Sequence, residues 1–183
     1  MNNTSIYKDT NLDWIPSIPE YWDVIRSKFI FENKSVKNCP DEPLLSVTQK
    51  NGLVLRSDLK TKVWNPTDDT SGYKLIESGD FVISLRSFEG GLELSRIRGL
   101  VSPAYTVLRS TKTIDLDYYR WLMKSQKFIV ELNKNVTGIR QGKNIGWDDF
   151  GNIYLCSPPI DEQQLISRYL DKKTEQIDSL IEK

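Results

Sequence analysis

Between Thr137 and Asn144 the chain reads Thr-Gly-Ile-Arg-Gln-Gly-Lys-Asn. Arg140, Gln141, Lys143 and Asn144 put four hydrogen-bonding side chains into five residues, and Gly138 and Gly142 let backbone approach a partner closely. In the major groove, arginine and lysine match the O6 and N7 acceptors of guanine, while glutamine and asparagine match N6 and N7 of adenine. The loop is a candidate for reading bases, although an ordinary solvated loop has the same composition. Lys50, ahead of an Asn51-Gly52 turn, and Arg86, ahead of Gly90-Gly91, compete for that role.

Charge along the chain gives such a surface a context. The 183 residues carry no formal net charge. Residues 118–147 nevertheless hold six basic side chains, Lys124 and Lys127 among them, against Glu131 alone, for a net charge of +5. Residues 81–112 carry +3, and the tail from Asp148 to Lys183 carries −4. A basic middle suits phosphate contact and an acidic tail a different partner, although a basic helix face is often only solvated.

Catalytic chemistry finds little support. Histidine is absent, which removes the commonest general base and the commonest metal ligand. Cys39 and Cys156 cannot form a zinc site by themselves and read as two buried thiols of a reducing compartment. Ser157-Pro158-Pro159-Ile160 is a poor version of the loop with which amino-methyltransferases hold their target base. It lacks both the amide or carboxylate and the aromatic, and helix-starting prolines explain it better. Glu32-Asn33-Lys34, with Asp23 upstream, matches a nuclease pattern only as loosely as chance allows in a chain with 27% charged residues. There is no P-loop and no G-x-S-x-G elbow. The sequence offers binding surfaces, with no catalytic and no metal residues.

The elements that must position these residues are those of one globular domain with an appendage. No apolar run approaches a membrane span and residues 1–20 lack a signal-peptide core, so a cytoplasmic protein is expected. Asp13 to Trp22, punctuated by prolines, reads as an extended, packed strap. Val24–Phe31 mixes strand and helix signals. Leu44–Gln49 and Leu53–Leu55 form a hairpin about Asn51-Gly52. Strands follow at Phe81–Leu85, Leu92–Ser95 and Val101–Leu108, the last with an edge or bulge at Pro103. Asp115 caps one helix, a second spans Lys127–Leu132, and a short strand covers Asn152–Cys156. A final helix follows Pro158-Pro159, with Asp161 and Glu162 in its first turn. Its apolar seam of Ile166, Leu170, Thr174, Ile177 and Ile181 can pack on the parent domain or pair with another helix.

In order along the chain, these features resemble the specificity subunits of type I restriction–modification systems. The matching pieces are Trp14-Ile15-Pro16 with Ile18-Pro19-Glu20-Tyr21-Trp22, Leu45-Ser46-Val47 before Asn51-Gly52, and Tyr73 to Ile83. Gly99 to Tyr105, Thr137-Gly138-Ile139-Arg140 with Pro158 to Gln164, and Ile177 to Ile181 complete the set. The resemblance implies a mixed α/β target recognition domain over 1–157, with a twisted β-sheet and flanking helices, and a dimerisation helix over 158–183. It implies a chain that is not an enzyme and reads half of a bipartite site in double-stranded DNA. Its partners would be a modification (methyltransferase) subunit with S-adenosylmethionine and a motor–nuclease restriction subunit with ATP and magnesium. The assembled complex would be a DNA adenine methyltransferase and site-specific deoxyribonuclease. Family members usually carry two such units; a single one implies a homodimer through Ile166, Leu170, Ile177 and Ile181. The alternatives are a recognition domain of another DNA methyltransferase or nuclease, and a protein-interaction module that never meets DNA.

Overall fold

The computed structural model describes residues 6–49, 51–59, 69–134 and 145–181. Strand β1 (Tyr7–Leu12) pairs antiparallel with β2 (Ile15–Pro19), burying Trp14 and Ile18. The opening strap is extended and packed as expected. Its partner β1 escapes a sequence reading because it holds a single aliphatic residue, Leu12. A 3-10 turn at Ser27–Phe29 separates β3 (Asp23–Arg26) from β4 (Phe31–Lys34), which accounts for the mixed signal at Val24–Phe31.

The expected hairpin is present as β5 (Leu45–Thr48) and β6 (Gly52–Leu55), with Gly52 at a φ of +64°. Strands β7 (Lys74–Ile76) and β8 (Phe81–Ile83) flank the Gly79-Asp80 turn. A single helical turn α1 (Ser87–Gly90) and β9 (Glu93–Leu94) come next. The strand expected over Val101–Leu108 is two, β10 (Gly99–Val101) and β11 (Thr106–Ser110). Pro103 lies in the turn between them, where its missing N–H costs no ladder bond.

Helix α2 (Leu116–Lys124) is capped by Asp115, whose carboxylate accepts the Tyr118 N–H at 2.7 Å. Then come α3 (Gln126–Lys134), the short α4 (Trp147–Gly151), β12 (Tyr154–Ser157) and α5 (Ile160–Ile181). Among the described residues no helix is long and apolar enough to cross a membrane.

The mixed α/β class holds, but the strands are spread over several antiparallel units. The largest is a four-stranded sheet of order β4-β11-β8-β9. Alternation along its inner strands sends side chains to opposite faces. Phe81, Ile83 and Leu108 enter the main core with Phe31, Tyr119, Phe128 and Phe150, whereas Val82 and Val107 enter a second core with Leu45, Leu53, Ile76 and Val101. Burial on both faces is why Phe81-Val82-Ile83 is apolar without interruption. Phe31 meets Phe81, Tyr119 and Phe150 edge-on, with ring centroids 5.6, 5.5 and 5.9 Å apart. On the helical side, α2 contributes Tyr118, Tyr119 and Met123. Burial pushes the Tyr118 phenol well above its usual range, Tyr119 up to about 12, and the Cys156 thiol upward. Cys39, expected to be buried as well, is partly exposed.

Candidate nucleic-acid interface

Arg140, Gln141, Lys143 and Asn144 lie outside the described residues, as does Lys50. Arg86 is exposed, immediately before α1. Its backbone is pinned: the Arg86 N–H donates to Ser84 Oγ at 3.2 Å and the Ser84 N–H to Ser87 Oγ at 3.0 Å. Gly91 then presses this loop onto α2, because a Cβ there would stand 2.1 Å from the Met123 carbonyl oxygen. Hairpin β5–β6 and the Arg86 turn bound a cleft of about 330 Å³. Arg56, which sequence reasoning passed over, also lines it. Its only signal is a cation directly after a hairpin strand.

Much of the basic charge of residues 81–112 and 118–147 is tied into the fold by ion pairs. Lys124 Nζ lies 2.7 Å from Glu93 Oε2, so in the unbound chain Lys124 serves as a counter-ion. Burial raises the Glu93 carboxyl above its ordinary range, and Lys124 acts against that shift. Arg96 is bound to Asp117, Arg98 to Glu42 and Glu77, and Arg120 to Asp117 and Asp171. Arg109 holds Asp80 through two bonds of 2.7 and 2.8 Å. Several of these carboxylates come from outside the basic windows, which is why counting charge along the chain overstates what is available. Lys127 is exposed, beside Trp14, Val130 and Lys134.

Among the described residues no three acidic or thiol side chains converge as a metal site. Glu32 and Lys34, half of the nuclease-like pattern, pair with each other at 2.8 Å.

The last helix divides into a root and a free end. Gln163 and Ser167 are each 3% exposed and Ile166 packs on the main core. Ile166, partly buried, helps anchor the helix to its own domain. Gln163 accepts the Asp115 N–H at 2.9 Å and donates to the Pro158 carbonyl at 2.8 Å. Trp22 Nε1–H donates to Glu162 and Trp121 Nε1–H to Asp171, at 3.0 and 2.9 Å. Leu170 and Thr174 are half-buried, but Ile177 is 55% and Ile181 76% exposed.

No family model and no curated protein matches the chain. Solved structures do. The HsdS subunit from Thermoanaerobacter tengcongensis superposes with a TM-score of 0.62 over 97% of this chain, at 19% identity. The chain has the HsdS fold. A second match is a chain from a structure described as the basis of complex assembly and conformational transition of the type I R-M system, with a TM-score of 0.60 and 16% identity over 97% of this chain. This chain spans 42% and 43% of the lengths of those two. Within the HsdS fold, the motifs noted in the sequence have physical tasks here. Gly79 takes a φ of +96° so that Asp80 can turn back to Arg109, and Pro158 to Gln163 hooks the root of α5 to α2.

Proposed function

We propose that this chain is a non-catalytic DNA-specificity element of a type I restriction–modification complex, reading one half of a bipartite duplex site. Its HsdS fold over 97% of its length carries the reading. A basic, partly unpaired surface ahead of a helix with a free apolar end supports it. Methylation and cleavage would belong to cytoplasmic partner subunits that bring S-adenosylmethionine, ATP and magnesium, and this chain would direct them.

A bipartite target has two half-sites, so a unit that reads one needs a second unit, and a second copy of this chain can supply it. The free end of α5 is the element for joining them. Gln163, Ser167, Leu170, Thr174, Ile177 and Ile181 recur at alternating spacings of four and three, a heptad seam whose first members are used by the domain and whose last are not. A two-fold dimer presents the same surface in inverted orientation, so its target is an interrupted palindrome.

Duplex-DNA binding across a salt series is the decisive experiment, run alone and with the modification subunit. Affinity should fall steeply with salt, since neutralising phosphates releases counterions. No binding in either condition would leave a protein-interaction module. Methyl transfer should require the added subunit; turnover by the purified chain alone would contradict a non-catalytic role. Changing Ile177 and Ile181 together to aspartate should abolish the dimer in sedimentation while leaving the melting transition in place. An active complex holding one copy on an asymmetric site would refute the homodimer.

A further inference from the structure

Six of the described arginines have a partner for the guanidinium. Arg26 donates to Tyr154 Oη, Arg168 to the Gln164 carbonyl, and Arg96, Arg98, Arg109 and Arg120 to carboxylates. Arg56 and Arg86 have none among the described residues, and these two line the same cleft. Arg56 makes the sharper case, because its Nε is buried with no acceptor. The described fold therefore supplies no counter-group for the Arg56 guanidinium, whose Nε is itself closed to solvent.

The cleft's other walls indicate what kind of group would supply one. Val47 and Tyr105 contribute apolar surface, Ser46, Thr48 and Ser102 bring hydroxyls, and no carboxylate is among its described lining residues. Its volume of about 330 Å³ exceeds what a lone phosphate requires. A base edge fits better: the guanidinium is a planar fork that matches paired acceptors. Both arginines stand on fixed backbone. The Arg56 N–H donates to the Leu44 carbonyl at 2.9 Å, and Arg86 is held by the Ser84–Ser87 turn.

We propose that this cleft takes the major-groove edge of guanine, with Arg56 and Arg86 as specificity-determining residues. This rests on the DNA-recognition reading above and adds a base identity and a location to it.

The test selects bound sequences from a randomised duplex library with the full chain, alone and with its modification subunit. Wild-type protein should enrich at least one G·C position. Arg86→Ala, on an exposed side chain, should reduce discrimination at that position by about tenfold or more, with affinity for unselected duplex nearly unchanged. Arg56→Gln should reduce it at the same or the adjacent position. If Arg56→Gln fails to melt cooperatively, Arg86→Ala decides alone. Unchanged base preference in Arg86→Ala would overturn the proposal. So would uniformly weaker binding with a shallower salt dependence, the mark of a phosphate contact. Wild-type protein that binds no duplex would sink the DNA reading itself; duplex bound without a G·C preference would sink only this inference.

Discussion

Lys124 and Arg120 on α2 each face a carboxylate delivered from elsewhere in the chain, Glu93 in one case and Asp171 in the other. Arg56 and Arg86, beside the hairpin, face none among the described residues. The two regions carry the same formal charge for different ends. Around α2 the cations hold elements together: Arg120 reaches α5, and Lys124 neutralises a carboxylate that the core has partly desolvated. In the cleft the task proposed for the cations is recognition of DNA, not cohesion of the fold. Whether a basic side chain is structural or available depends on which acids the fold brings to it, not on how many bases lie nearby in sequence.

Removing cations one at a time sharpens that contrast. Arg109→Ala should cost the most, about 3 kcal/mol in urea denaturation, because it strands the Asp80 carboxylate, whose side chain is 3% exposed. Lys124→Ala should cost about 2 kcal/mol at pH 7, again by leaving a buried carboxylate unpaired. That second loss has a pH signature. A carboxyl whose pKa the fold raises weakens the fold as pH climbs through that pKa, and stops doing so below its unfolded value. The Lys124→Ala deficit should therefore shrink between pH 7 and pH 4.5 as Glu93 takes up a proton; a deficit that grows on acidification would show that Lys124 does not act through Glu93. Arg86→Ala should move stability by no more than about 0.5 kcal/mol. A larger loss would place Arg86 among the structural cations and erase the contrast.

Period and punctuation made part of this legible. Pro158-Pro159 and the acidic first turn announce α5, Asn51-Gly52 announces its hairpin, and Asp115 announces α2; all three are found within a few residues of where the pattern puts them. Helix α4 is missed because five residues are too few to show a period, and its start is marked by the Asp149 carboxylate accepting the Gly146 N–H. The ion pairs are missed for another reason: Glu42 and Glu77 meet Arg98 only through the tertiary fold. Arg56 is overlooked for the same reason in reverse, since an arginine with no partner among the described residues looks in sequence like any other. Of the DNA-reading candidates drawn from sequence, Arg86, Lys124 and Lys127 are described, and only Arg86 lines a cleft beside the hairpin.

Strand β3 is completed by β12, so that Arg26 lies opposite Tyr154, 128 residues later in the chain. At the usual pace of about 5–20 residues per second, a ribosome needs on the order of ten seconds to deliver the second strand after the first. Throughout that interval β3 is an open edge, and the strand that closes it leads directly into α5. The helix root therefore cannot seat on a partial nascent chain. Any pairing of two copies through α5 must wait until β12 has been made and has closed β3.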